Sequence, residues 1–185
     1  MILGEENQVF RRYYNQYKRL CLLEKYNVLI KTLNAQKRGY MLQDLMNEIF
    51  KFYSLDVVKS FTRNSGAEQI DGAFELDGSD YIVECRWRKK LANIREVDGL
   101  YGQIGRSRMS TRGLFLSING WSENVEDMLK QNPGKVIMLM DGSDLRNALM
   151  KRIDIKDFLK GKVKYLNLRS EPYCSVDSYE AVKND

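Results

Sequence analysis

Residues 66–87 read "GAEQIDGAFELDGSDYIVECRW", and this stretch decides the fold. Two β-type runs, "QIDGAFEL" and "DYIVECRW", are separated by Asp77-Gly78-Ser79, the signal of a tight hairpin. On the second strand the two-residue period puts Glu84 and Arg86 on one face and turns Cys85 to the other. Cys85 is therefore expected as a core thiol that offers only its backbone carbonyl. Asp71, on the first strand, is expected to bring its carboxylate to the same end of the sheet as Glu84. Two carboxylates, the Cys85 carbonyl and Glu48 from a preceding helix make a hard-oxygen set suited to Mg²⁺ or Mn²⁺. A cation held there polarises a phosphodiester and lowers the pKa of a water, with a neighbouring positive side chain absorbing the developing charge. The plainer alternative is that acids at hairpin ends are simply solvated.

Moving outward, residues 5–37 contain neither proline nor glycine, and Phe10, Tyr13, Tyr17, Leu20, Leu23, Val28, Ile30 and Leu33 recur at helical spacing. The stretch reads as one long helix or two, and the irregular stripe favours a helical hairpin packed on the body over a free coiled coil. "KRGY" at 37–40 is expected to break it. "MLQDLMNEIFKFY" then sets Met41, Leu45, Ile49 and Phe50 on one face of the next helix, with Glu48 just off the stripe. "DVVKSF" predicts a strand and "TRNSGAEQ" a turn. Beyond the hairpin follow a helix in "LANIREVDGLYGQIGRSRM", a buried strand in "TRGLFLSI" and a serine-capped helix in "SENVEDMLKQN". "KVIMLM" predicts another buried strand, and "SDLRNALMKR" and "DIKDFLKG" short helices; from Tyr165 onward no strong pattern is visible. The order implies an α/β fold, a mixed central β-sheet flanked by helices. It divides into an N-terminal helical arm (1–37), a core domain (38–164) and a C-terminal tail (165–185).

Composition narrows the chemistry. With 43% hydrophobic and 30% charged residues, 185 residues make one globular domain with a real core. Thirty Lys and Arg against 25 Asp and Glu, with a pI near 9.0, suit a polyanionic partner. The absence of histidine excludes Ser-His and Cys-His nucleophiles and histidine zinc sites. Three widely spaced cysteines suggest neither a disulfide framework nor a zinc site. No apolar run reaches the roughly 18 residues of a membrane span, and "MILGEENQVF" turns polar before a signal-peptide core forms. A soluble protein of the cytoplasm, without membrane partners, is the expectation.

The hairpin stretch resembles the core motif of the PD-(D/E)XK nuclease superfamily, in its Mrr-like restriction endonuclease branch: an Asp, a spacer across a hairpin, then Glu-x-Lys. The likeness continues through "RGYMLQDLMNEIF" before it and "TRGLFLSINGW" and "VIMLMDGSDL" after it, spanning roughly residues 38–160. It implies a restriction-endonuclease-like fold in which Asp71 and Glu84 are metal ligands and Glu48 is the helix acid. Gln69 would help position phosphate or water. Gln103 matches the place where related nucleases carry a Gln or Lys facing the site. Arg86 stands at the lysine position and departs from the pattern. It keeps its charge and can grip a phosphate with two parallel hydrogen bonds, but cannot readily give up a proton.

Arg88, Lys89 and Lys90 follow directly, with Arg95, Arg106, Arg108 and Arg112 nearby, a surface suited to neutralising phosphates. Trp87 and Trp121 are candidates for stacking on bases, although packing is the commoner role. The expected activity is a Mg²⁺- or Mn²⁺-dependent DNA endonuclease of restriction or phage-defence type. The alternatives are a nuclease-fold module that has lost its chemistry but still binds nucleic acid or a partner, and a purely structural subunit. The N-terminal helices are expected to support a homodimer or a partner protein.

Overall fold

A computed structural model describes residues 2–132, 134 and 136–184, with the side chains of residues 2–7 and 184 left aside. The chain begins with one long helix, α1 (Ile2–Ile30), followed by α2 (Ala35–Phe52). The hairpin strands come next: β1 (Asp56–Arg63), β2 (Glu68–Leu76) and β3 (Ser79–Arg86). Then α3 (Ile94–Gly105), β4 (Arg112–Ser117), α4 (Asn124–Gln131), β5 (Ile137–Asp141) and α5 (Gly142–Met150) alternate. Helices α6 (Ile155–Arg169) and α7 (Val176–Asn184) close the chain. The five strands form one sheet in the order β1-β2-β3-β4-β5, antiparallel through β3 and parallel from β3 to β5. The α/β class and the mixed sheet flanked by helices are as the sequence implies.

Both sheet faces are buried, so the central strands read as apolar runs rather than alternations. Tyr81, Val83, Leu114, Leu116, Met138 and Met140 pack toward α1, α2, α5 and α6. Ile82, Phe115, Ile137 and Leu139 pack toward α3 and α4. Glu84 and Arg86 share the parity of Ile82 and so lie on the α3 side. The turn between β2 and β3 is made by Asp77 (φ 51°) and Gly78 (φ 76°), two consecutive left-handed residues as a two-residue hairpin requires.

Four details differ from the sequence reading. The break between the first helices falls at residues 31–34, not at "KRGY": the Asn34 side chain accepts the Lys37 N–H at 2.9 Å and caps α2, and Gly39 lies inside the helix. A helical glycine costs about 1 kcal/mol, whereas burying Leu42, Leu45 and Ile49 contributes roughly 1.5–3 kcal/mol each, so the glycine does not stop the helix. Helix α4 makes no side-chain cap hydrogen bond, because Ser122 Oγ turns to Asn124 Oδ1. The stretch from Tyr165 that shows no sequence pattern is largely helical as far as the described residues go: α6 runs through position 164 to Arg169, and α7 packs Val176 and Tyr179 against the body. Finally, α1 divides in two. Leu22, Tyr26 and Leu29 are buried, and the Tyr26 hydroxyl donates to the Gly142 carbonyl at 3.0 Å, whereas Phe10, Tyr13 and Tyr17 remain more than 60% exposed.

A buried ion pair ties the C-terminal half together. Lys162 Nζ, 1% exposed, donates to Asp144 Oδ2 (2.9 Å) and to the carbonyls of Leu139 (2.8 Å) and Cys174 (2.6 Å). Asp144 in turn accepts the Val176 N–H at 3.0 Å. Strand β5, helices α5 and α6 and the start of α7 thus meet at one ammonium group. Among the described residues no helix is long and apolar enough to cross a membrane.

Candidate active site

The ladder between β2 and β3 pairs residues as far as Gly72 with Val83, and there the strands part. Asp71, one residue further, turns its carboxylate into the gap, and Oδ2 accepts the Cys85 N–H at 2.9 Å. A side chain thus replaces the carbonyl that a continuing strand would offer, and the carboxylate is fixed by the backbone of β3 itself. Glu84 is 4% exposed on the same sheet face. Strand parity and strand parting together bring the two acids and the Cys85 carbonyl to one end of the hairpin.

Arg86 lies among all three. One guanidinium nitrogen pairs with Glu84 Oε1, while Nη1 stands 3.3 Å from the Cys85 carbonyl oxygen and 3.8 Å from Asp71 Oδ2. A cationic group therefore sits where the oxygen donors converge. A third carboxylate, which sequence reasoning missed, faces the guanidinium from α3. Asn93 and Glu96 form a capping box, in which Glu96 Oε2 accepts the Asn93 N–H at 3.1 Å. The other oxygen, Glu96 Oε1, stands 3.8 Å from Arg86 Nε and 3.2 Å from Arg88 Nη1. The N-x-x-E spacing of Asn93 and Glu96 was visible in the sequence, but only as a helix start.

Burial dominates the electrostatics. It pushes the Glu84 carboxyl up to about 7, with the charges of Asp71 and Glu96 adding to the rise and Arg86 opposing it. Burial also raises Asp71, against the Cys85 N–H and Arg86, which favour its ionised form. Glu84 thus keeps its proton in the folded state between pH 4.5 and about 7, where the unfolded chain has lost it. Folding stability contributed by this group falls as pH rises through that window, by roughly 3 kcal/mol in all. In chelator, Glu84→Gln is expected to be more stable than the native protein at pH 8 and nearly equal to it at pH 4.5. Urea midpoints at both pH values check this; a native-to-variant difference that does not change with pH sinks it.

The restriction endonuclease domain Mrr_cat matches residues 35–149, more than half of the chain and the whole of this site. The chain belongs to the Mrr_cat family. Solved structures of the same fold include the small subunit of the heterodimeric restriction endonuclease R.BspD6I. It is 14% identical with a TM-score of 0.56, over 89% of this chain and 96% of that one. The protein of unknown function AF1548 is 15% identical with a TM-score of 0.51, over 61% of this chain; the chain spans only 65% of its length. No curated protein sequence matches.

Within this Mrr_cat domain one expected ligand lies elsewhere. Glu48 is half exposed on the α1 side of α2, with both carboxylate oxygens 2.6 Å from Lys25 Nζ. The residue that α2 turns toward the sheet is its neighbour Asn47, which is buried and whose Oδ1 lies 3.6 Å from where a Cβ on Gly72 would stand. Among the described residues no cluster of three His, Cys, Asp or Glu side chains assembles for a metal, so Glu48 does not join Asp71 and Glu84.

Gln103, two helical turns after Glu96 on the same face of α3, donates from Nε2 to the Gln69 carbonyl at 3.2 Å. Its Oε1 is buried without a hydrogen-bond partner among the described residues. The Gln69 side chain is exposed, as are Arg88, Lys89 and Lys90 on the loop after β3. Arg63 and Arg106 both pair with Glu68, and Arg63 also reaches the Gln103 carbonyl, tying the β1–β2 turn to α3. The tryptophans pack: Trp87 lies under the Arg38 guanidinium and against one core layer, Trp121 edge-on to Tyr173 and against the other.

Proposed function

We propose that the chain is a metal-dependent DNA endonuclease, of restriction or phage-defence type and working in the cytoplasm, that hydrolyses phosphodiester bonds. The observation that carries this reading is the convergence of Asp71, Glu84 and the Cys85 carbonyl on one position already filled by a cationic group. Hard oxygens around a positive charge fit Mg²⁺ or Mn²⁺. Held there by Asp71, Glu84 and the Cys85 carbonyl, such an ion would supply Lewis-acid polarisation of a phosphodiester and a lowered pKa for a water.

The chain supplies the rest. Asp71 and Glu84 would hold the cation in their ionised forms. Arg86, displaced from them, grips the phosphate and stabilises charge as it develops, but takes no proton. Gln103 and Gln69 orient the phosphate or the attacking water. Arg88, Lys89 and Lys90 neutralise backbone phosphates, which makes affinity fall steeply with salt.

One observation favours a second reading. The guanidinium occupies the position proposed for the metal, as expected of a module that has kept the nuclease fold and DNA or partner binding but lost cleavage. The R.BspD6I small subunit works in a heterodimer. The exposed aromatic half of α1 offers a surface here for a second copy or a partner protein.

Cleavage of plasmid DNA, with RNA in parallel, in Mg²⁺, Mn²⁺ and chelator separates the two. The nuclease reading expects cutting of DNA by the native protein that chelator stops, and a faster rate for Arg86→Lys. A native protein that is silent beside an active Arg86→Lys identifies the second reading instead.

A further inference from the structure

Arg86 is a single cation faced by three carboxylates, and its contacts with them are unequal. Its guanidinium pairs closely with Glu84 and reaches Asp71 and the Cys85 carbonyl, yet Nε makes no hydrogen bond although it is buried. Glu96 Oε1, 3.8 Å from that Nε, is likewise buried and accepts no hydrogen bond among the described residues, its one close cation being Arg88 Nη1 at 3.2 Å. A buried donor and a buried acceptor of opposite charge are thus left facing one another, about 1 Å short of a charge-assisted hydrogen bond. Glu96 cannot easily close the gap, because its other oxygen caps α3, and Val97 and Leu100 bury that helix in the core. Arg86 can: its side chain is 31% exposed, long and unbranched.

We propose that Glu96 is the alternative seat of Arg86. In the absence of a divalent cation the guanidinium fills the position defined by Asp71, Glu84 and the Cys85 carbonyl. On cation entry it passes to Glu96, leaving those oxygens open and staying beside the site to meet a phosphate. This inference rests on the nuclease reading and adds to it a positioning residue, Glu96, and an exchange. The Arg86–Glu96 pair replaces the Arg86–Glu84 pair and displaces Arg88 from Glu96, so the closed arrangement is the favoured one without a cation and the cation's preference for the open site supplies the difference. Arg88, which now shares Glu96 at 3.2 Å, is the group that must yield.

The test is a Mn²⁺ titration by calorimetry at pH 8, without nucleic acid, on the native protein, Arg86→Met, Glu96→Gln and the double variant. Glutamine preserves the capping-box acceptor, so α3 is kept. Removing the competing guanidinium is expected to tighten Mn²⁺ binding by about tenfold or more, as for a site whose open form is the minor one. Glu96→Gln is expected to weaken it about threefold or more in the native background and by less than about twofold once Arg86 is gone.

Equal weakening in both backgrounds overturns the proposal, since Glu96 then acts on the ion directly by its charge. Affinity unchanged in Arg86→Met overturns it too. Binding seen only in the Arg86→Met proteins means that the guanidinium never leaves, which also overturns the exchange while sparing the metal site. No binding by any of the four removes the metal site itself, and with it the reading on which the exchange rests.

Discussion

Asp71→Asn is expected to lower DNA cleavage by roughly 10³-fold or more while leaving the protein folded; a bound cation supplies several kcal/mol of charge stabilisation, and each tenfold in rate corresponds to about 1.4 kcal/mol. Asparagine is the informative change because its carbonyl can still accept the Cys85 N–H at the place where the strands part. It removes the charge and keeps the backbone anchor. Asp71→Ala removes both, and adds an unsatisfied buried amide to the loss of the ligand, a further cost of about 1–3 kcal/mol in stability. Rates for the two variants, measured beside their urea midpoints, separate lost chemistry from lost fold. Cleavage by Asp71→Asn within tenfold of native would remove Asp71 from the cation site.

The largest stability effect is expected at Lys162. Replacing it with methionine keeps most of the aliphatic stem but strands the Asp144 carboxylate, which is 2% exposed, and takes the donor from two buried carbonyls. Breaking a buried pair from one side costs about 3–5 kcal/mol. That is a large share of the roughly 5–15 kcal/mol that holds a typical domain together. The urea midpoint of Lys162→Met should fall accordingly, and Asp144→Asn added to it should recover part of the loss by removing the stranded charge. A loss below about 1 kcal/mol in the single variant would mean that water or a rearrangement satisfies the carboxylate, and that this ammonium is not what joins β5, α5, α6 and α7.

The strands were the legible part of the chain, and the reason is physical. "GAFELDGSDYIVEC" carries its own turn chemistry at Asp77 and Gly78, and the buried runs "LFLS" and "VIMLM" are too short and too apolar to sit anywhere but a sheet covered on both faces. Site geometry that follows from strand parity was legible too, which is why Asp71, Glu84, Cys85 and Arg86 come together. Helical positions were not. A shift of one residue turns a side chain by about 100°, and that is the difference between Asn47 beside the sheet and Glu48 paired with Lys25 on the opposite helix. Glu96 was hidden by having two tasks, since a capping-box glutamate looks complete without a partner. The packing of residues 165–183 was hidden because it is tied to a lysine in the core: Lys162 reads as a surface residue until the carbonyls of Leu139 and Cys174 are brought to it by the fold.

The bond from the Cys85 amide to Asp71 has a further use. That one N–H looks onto the carboxylate whose charge decides the site, yet Cys85 contributes no side chain to the chemistry and need not be altered. Its nitrogen and proton resonances therefore form a native reporter. They shift when Asp71 takes up a proton or gives its charge to a cation, and hydrogen exchange at the same amide slows or quickens as that bond tightens or opens. The protein thus carries its own indicator for the state of the site, readable in ¹⁵N-enriched protein without any substitution.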